Sequence, residues 1–396
     1  MRVRFRAGDT FWKYSQLFRI PLNLIVDSNR GLDPANIRPG QEVQVPGFVL
    51  ESHTVRPGDT FWNLALQRGL PLEAMLIANP GVDPAALRPG MTVNVPLRVT
   101  WRVVDPRRPY DFAAFTADFG KLADLYPFMA QRTIGRSVMN KPLTEIRVGR
   151  GGKRVHANGA FHANEWITTC VLMQFLNDYA LALTNNGSIR GLVMAPFYET
   201  TMLSVVPMVN PDGVDLVING APAEEPYRTR VLDINEGSAN FSGWKANIRG
   251  VDLNDQFPAR WDLEAARGRQ RPAPRDYAGE APLTEPEALA MAEMTSQGDF
   301  LRVLAFHTQG EVIYWGFENL EPPESQAIVR EFARVSGYEP VRTIESYAGY
   351  KDWFIQDWRR PGFTIEAGFG VNPLPIAQFD EIYEECLGIL LANLYL

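Results

Sequence analysis

Two hydrophobic rhythms divide the chain. From residue 1 to 98, short segments with helical apolar spacing alternate with short alternating strands, and the whole pattern occurs twice in one register. Ala7-Gly8-Asp9-Thr10-Phe11-Trp12 returns as Pro57-Gly58-Asp59-Thr60-Phe61-Trp62, residues 29–35 return as 79–85, and 38–46 return as 88–96. Each unit predicts the order strand, helix, helix, strand. Gly8-Asp9-Thr10 supplies a turn and then an N-cap for the apolar-periodic residues 11–18. Arg38-Pro39-Gly40 is a turn before the alternating residues 42–45. So small a unit offers few core positions, and Trp12 and Trp62 are expected to fill two of them.

Residues 99–115 form a connection containing Pro and Arg. Beyond it, over 116–396, short apolar strands alternate with amphipathic helices, the pattern of an α/β domain. Two small modules, 1–48 and 49–98, thus precede one large domain. Within it, residues 155–161 predict a strand and 165–183 a long helix, with His162 and Glu165 at the junction. Such junctions are where α/β folds expose reactive groups, and a His-x-x-Glu spacing lets both side chains address one centre.

That spacing alone is a weak signal. Residues 301–306 form a second apolar strand, which ends in His307; residues 363–368 form a third, carrying Glu366 where a carboxylate is costly without a partner or a task. Two imidazoles and a carboxylate suit a zinc ion and leave a fourth position open for water, and Glu366 suits a general base. The other histidines fit this centre less well: His53 has no evident partner, and His156 reads as a hydrogen-bonded core residue.

Composition narrows the field. A net charge of -7 supplies no basic surface for nucleic acid. The only cysteines, Cys170 and Cys386, lie in apolar helical patterns as buried thiols, which argues against a disulfide framework or a thiolate zinc site. No apolar stretch is long enough for membrane insertion, and the N-terminus lacks the features of a secretory signal. The chain as written is expected in the cytoplasm, with association with the cell wall or a spore also compatible.

The repeats resemble LysM modules, through the Gly-Asp-Thr start, the Asn-Pro-Gly-like middle and the Pro-Gly-x-x-Val-x-Val-Pro end. That resemblance implies binding of N-acetylglucosamine-containing glycans in a groove near Gly8, Asp9, Thr10, Asn29 and Ile37, and near Gly58, Asp59, Thr60, Asn79 and Leu87. Arg30 replaces the middle proline of the first unit.

Residues 110–396 resemble the zinc carboxypeptidases, through His162-Ala163-Asn164-Glu165, residues 209–214, Gly250-Val251-Asp252-Leu253-Asn254, His307, Tyr347 ahead of Asp352-Trp353, and Thr364-Ile365-Glu366. The resemblance implies a mixed, mostly parallel eight-stranded sheet flanked by helices, one Zn2+ per chain on His162, Glu165 and His307, Glu366 as base, and Tyr347 as a hydrogen-bond donor to substrate.

Two departures bear on specificity. Where that family places an arginine to grip a terminal carboxylate beside Asn254, this chain has Asp255, which would repel an anion and favour an amine. A structural pairing of Asp255 with Arg249 or Arg260 is the alternative. The arginine expected to polarise the scissile carbonyl is replaced by two candidates, Lys245 and Arg249, of which chemistry favours Arg249. Together with the repeats, residues 244–258 resemble the γ-D-glutamyl-L-diamino acid endopeptidases, which cut peptidoglycan stem peptides before diaminopimelate or lysine. Peptidoglycan or muropeptides are then the expected partners, and a homodimer is compatible with the sequence. The rival readings are a metallocarboxypeptidase for ordinary peptides and a non-catalytic glycan-binding protein.

Overall fold

The computed structural model describes residues 1–342 and 345–396. It divides into two compact units, one of Met1–Val104, Asp118–Ala130 and Leu176–Pro196, the other of Asp105–Ala117, Gln131–Phe175 and Phe197–Leu396.

The first unit holds the repeats. β1 (Arg2–Arg4) pairs antiparallel with β2 (Glu42–Gln44) around helices Phe11–Phe18 and Leu22–Ser28; β3 (Phe48–Thr54) pairs likewise with β4 (Thr92–Arg98) around Phe61–Gln67 and Leu72–Ala78. Thr10 and Thr60 cap their helices by accepting from the backbone N–H of Lys13 and Asn63. A short hairpin, β8 (Ser188–Ile189) and β9 (Leu192–Val193), belongs to the same unit.

The tryptophans are not core residues. Trp12 and Trp62 are each 63% exposed. Helical spacing turns Phe11, Tyr14, Ser15 and Phe18 to the inside of the first module, and Trp12, one residue round from Phe11, projects off that face. Edge-to-face contacts among Phe5, Phe11, Tyr14 and Phe18 fill the small core instead. His53 does have a partner, since its Nε2 lies 2.8 Å from Asp59 Oδ2.

The second unit is built on one eight-stranded mixed sheet. Its strands are β5 (Ala130–Arg136), β6 (Pro142–Val148), β7 (Lys153–Gly159), β10 (Thr201–Val206), β11 (Arg302–His307), β12 (Val312–Tyr314), β13 (Glu339–Val341) and β14 (Gly362–Glu366), in the order β13-β12-β14-β11-β7-β10-β6-β5. The central strands β14, β11, β7 and β10 run parallel and are almost wholly buried, as expected where both faces are covered. Parallel register brings the strand ends level, with His307 opposite Glu366 and Phe306 opposite Gly159. The chain leaves β7 toward β10 on one side while β11 lies on the other, so a crevice opens at the carboxyl ends of these strands.

Local chemistry shapes the exit from β7. Gly159 lies so close to the helix Ile167–Thr184 that a Cβ there would stand 2.9 Å from Thr168 Oγ1. Ala160, at φ 51°, donates its N–H to the same hydroxyl, which in turn donates to the Glu165 carbonyl. This knot replaces the expected start of the helix at residue 165 with a tight turn, Ala163–Glu165, before the helix proper. His156 is a buried core residue, 2.9 Å from Ser204 Oγ and 3.1 Å from Asn158 Nδ2.

A buried acid elsewhere in this unit makes stability depend on pH. Glu287, in the first turn of helix Pro286–Gly298, is fully buried and accepts from the Val138 N–H at 2.9 Å. Burial, with Asp212 and Glu285 nearby, pushes its pKa up to about 7. A raised carboxyl pKa adds stability that is complete below the unfolded value near 4.5 and is lost as pH rises through about 7. Glu287→Gln should therefore gain roughly 3 kcal/mol on the wild type at pH 8 relative to pH 4. Urea unfolding at the two pH values measures this, and an unchanged difference would refute it.

Candidate metal centre

Three segments far apart in sequence meet at the crevice. The turn after β7 supplies His162 and Glu165, and the end of β11 supplies His307; all three are buried, with potential ligand atoms within 4.8 Å of one another. His162 Nδ1 is 2.9 Å from Glu165 Oε1, His307 Nδ1 is 3.0 Å from Glu165 Oε2, and the two Nδ1 atoms are 3.1 Å apart. Phe161 stacks against the His307 ring with an interplanar angle of 9°.

The surroundings hold the ligands in place. Asp252 Oδ1 lies 3.1 Å from His162 Nε2, and the Asp252 carboxylate accepts from the backbone N–H of Asn254 and Asp276. Such a carboxylate fixes the tautomer and orientation of a metal-binding imidazole. Glu165 accepts from the Thr308 N–H at 3.2 Å and from Asn372 Nδ2 at 3.4 Å. Neither Asp252's task nor Asn372's was evident from spacing, although Asp252 stood within a motif already singled out.

Electrostatics favour a cation here. Burial alone would lower the His162 pKa, yet Glu165 and Asp252 outweigh it and raise it to about 10. Burial together with the Glu165 charge pushes the Glu366 carboxyl up to about 8. Three carboxylates, Glu165, Asp252 and Glu366, face the Lys245 ammonium and two imidazoles, and the protons that the raised His162 and Glu366 pKa values hold here are ones a divalent ion would displace. Two ring nitrogens and a carboxylate are the donor set that zinc takes with a position left open, so the residues fit that metal.

The other expected residues divide. Lys245 is half-buried, and among the described residues its ammonium has no hydrogen-bond or ion-pair partner; the charges that hold its pKa up against burial are chiefly Asp252 and Glu165. Its carbonyl accepts from the Ala163 N–H, which ties Lys245 to the ligand turn. Arg249 instead directs its guanidinium to Glu285, at 3.5 Å, which weakens the chemical preference for Arg249. Arg260 pairs with Glu318 at 3.0 Å. Neither arginine takes Asp255, whose carboxylate is unpartnered among the described residues and is pushed well up by burial and by Asp252 and Glu264. Asn254 accepts from the Tyr350 N–H at 3.3 Å. Tyr347 is half-buried, with its N–H on Glu264 at 2.9 Å and its ring against Phe317 and below Arg267.

The expected glycan residues are less uniformly available. Asp9 is buried and bound by Arg6, Lys13 and Tyr14. Asn29 spends its amide on the Ile25 and Gln44 carbonyls and accepts from the Gln44 N–H; Asn79 repeats this on Met75 and Asn94. Gly8, Thr10, Gly58 and Thr60 are exposed, while Ile37, Leu87 and Asp59 are half-buried.

Comparison with known proteins agrees with this architecture. Residues 116–385 match the model for zinc carboxypeptidase, and residues 3–46 and 53–96 each match the LysM domain. The chain is 64% identical over 396 residues, the full length of both, to gamma-D-glutamyl-L-diamino acid endopeptidase 1 of Lysinibacillus sphaericus. It is 46% identical over 296 residues to the uncharacterized protein YqgT of Bacillus subtilis, covering 74% of this chain and 79% of that one. Among solved structures it shares its fold with bovine thrombin-activatable fibrinolysis inhibitor bound to tick carboxypeptidase inhibitor, with a TM-score of 0.57 and 18% identity, covering 73% of this chain and 97% of that one.

If Asp252 orients His162, then Asp252→Asn should weaken zinc affinity about 10- to 100-fold while the fold persists. Competition with a chromogenic chelator measures this, and an unchanged affinity would rule the role out.

Proposed function

The chain belongs to the zinc carboxypeptidase family, and from that premise we propose that it is a peptidoglycan hydrolase, a zinc-dependent endopeptidase cutting between γ-linked D-glutamate and the diamino acid of the stem peptide. The full-length relative of that name and the two LysM domains support this reading. The observation that carries the specificity is Asp255, a carboxylate without a partner among the described residues, in the segment that follows Asp252 and Asn254.

In this mechanism His162, Glu165 and His307 hold one zinc ion per chain. Zinc, when bound, supplies Lewis acidity to the scissile carbonyl and to the attacking water. Glu366, at the end of β14 opposite His307, takes the proton from that water and returns it to the leaving amine. The Lys245 ammonium faces the negative charge that develops on the carbonyl oxygen, a role Arg249 leaves open by pairing with Glu285. Tyr347 donates to the substrate backbone. Asn254 and Asp255 receive the leaving residue, diaminopimelate or lysine, with Asp255 opposite its side-chain ammonium. An ordinary terminal carboxylate would meet repulsion there, which separates this enzyme from one that trims peptide ends.

The LysM domains concentrate the enzyme on its polymer. Trp12 and Trp62, exposed beside Thr10 and Thr60, offer aromatic faces to sugar rings at equivalent places in the two modules. The glycan groove thus draws on Gly8, Thr10, Gly58 and Thr60 with these tryptophans, and on Ile37 and Leu87 at its other side, while Asp9, Asn29 and Asn79 hold its shape.

Two measurements test the reading. Mass spectrometry of defined muropeptides should show cleavage of the γ-D-glutamyl bond to the diamino acid, with far slower attack on a hippuryl-amino acid. Asp255→Asn should lower kcat/KM on the muropeptide about tenfold or more; a variant as active as the wild type would exclude Asp255 from recognition. Separately, Trp12→Ala with Trp62→Ala should slow digestion of insoluble wall several-fold more than hydrolysis of a soluble tripeptide. Equal losses on both would contradict the targeting role. Point substitutions suit this test better than removal of the repeats, because Met1–Val104 shares a compact unit with residues 118–130 and 176–196.

A further inference from the structure

Between helix Trp261–Arg267 and Tyr277 the chain reads Gly268-Arg269-Gln270-Arg271-Pro272-Ala273-Pro274-Arg275-Asp276, a loop dense in arginine to which the mechanism above assigns nothing. It is a built feature rather than a loose excursion. Its base is closed by the Arg269 N–H donating to the Asp276 carbonyl at 2.6 Å. Its far side is fastened to the catalytic segment: Lys245 and Ala246 both donate to the Pro274 carbonyl, and Ala273 donates to Gly250. Asp252 donates to the Tyr277 carbonyl, and the Asp276 N–H donates back to the Asp252 carboxylate. Gly250, at φ +78°, permits the contact, since a Cβ would stand 3.0 Å from Ala273 N. Two prolines stiffen the loop further.

Arg269, Arg271 and Arg275 line a cleft of about 330 Å³ with Ile234, Asn235 and Glu236. Among the described residues Arg275 pairs only with its neighbour Asp276, with Nε 3.2 Å from Oδ2, and both side chains are more than half exposed. Three guanidiniums against Glu236 and Asp276 leave the cleft positive. The Arg275 charge also reaches Lys245, where it opposes that of the ammonium.

The chemistry of the proposed bond supplies a ligand. A γ-linked glutamyl residue differs from an α-linked one in keeping a free α-carboxylate, about 5 Å along its own chain from the carbonyl under attack. With that carbonyl at Lys245, this carboxylate needs a cationic partner on the acyl side, and the loop bonded to the Lys245 backbone carries three, of which Arg275 is the one whose charge reaches Lys245. We propose that the loop 268–276, chiefly through Arg275 with Arg271, receives the free α-carboxylate of the γ-linked glutamyl residue and so selects γ- over α-linked substrates. This rests on the function proposed above. Asp255 and the arginine loop then divide the substrate by charge, an ammonium on the leaving side and a carboxylate on the acyl side.

The test uses the full-length zinc-loaded protein and two γ-D-glutamyl-diaminopimelate peptides, one with the glutamyl α-carboxylate free and one with it as the carboxamide. Arg275→Ala should reduce the acid-to-amide ratio of kcat/KM about 10- to 100-fold, as loss of a charge-assisted hydrogen bond predicts. Arg275→Lys should restore part of it. A ratio unchanged in both Arg275→Ala and Arg271→Ala overturns the assignment while leaving the endopeptidase reading intact. If the wild type cleaves neither peptide, that reading fails and the assignment falls with it. Should Arg275→Ala not fold, Arg275→Gln and Arg271→Ala report the same ratio.

Discussion

The arrangement depends on one constraint: adjacent parallel strands end at a single level, and their ends crowd buried carboxylates and imidazoles together. Register sets His307 against Glu366, and the turn after β7 adds His162 and Glu165. Asp252 then joins from a loop, bound to the outer nitrogen of His162. Charges so placed repel one another in a poorly hydrated crevice, as the raised Glu366 pKa reflects. A divalent cation among the three ligands turns that repulsion into affinity. The surrounding details hold these side chains in place: the close approach at Gly159, the Thr168 hydroxyl, and the Thr308 and Asn372 donors to Glu165.

The recognition proposed for this chain is concentrated on the segment from Trp244 to Asp255. It buries Trp244 and Ile248 in a local core, ties Lys245 to the ligand turn through its carbonyl, presents Asp252 to His162, and carries Asp255, whose carboxylate has no partner among the described residues. Because these jobs share a short stretch of backbone, its conformation is over-determined. Asn247 alone accepts from the N–H groups of Arg249 and Val251 and donates to Glu285. A charged group held this firmly loses little entropy on meeting its substrate partner, and so acts more selectively than the same group on a free loop.

The repeats bring a different economy. Each module has a core of only a few side chains, and internal bonds supply much of its definition, from Asn29 and Asn79 linking a helix end to the last strand and from Asp9 gathering Arg6, Lys13 and Tyr14. Residues so occupied have little left for a ligand. What remains outward is the paired tryptophans and the capping turns.

The chain by itself determined what is local or periodic: the doubled module with its Thr10 and Thr60 caps, the apolar strands, and the reactive residues at their ends. His162 with Glu165, His307 and Glu366 were legible because an imidazole or carboxylate closing a buried strand is conspicuous against apolar neighbours, and parallel register then had to bring them together. Tertiary structure alone decided which cation faces the centre, since Arg249 is captured by Glu285, 36 residues away, and Lys245 is not. It decided that Asp255 is spared by Arg249 and Arg260, that Asp252 reaches His162, and that the arginine loop lies against Lys245. Those outcomes depend on competition among partners distant in sequence, and neither hydrophobic period nor motif spacing records who wins it.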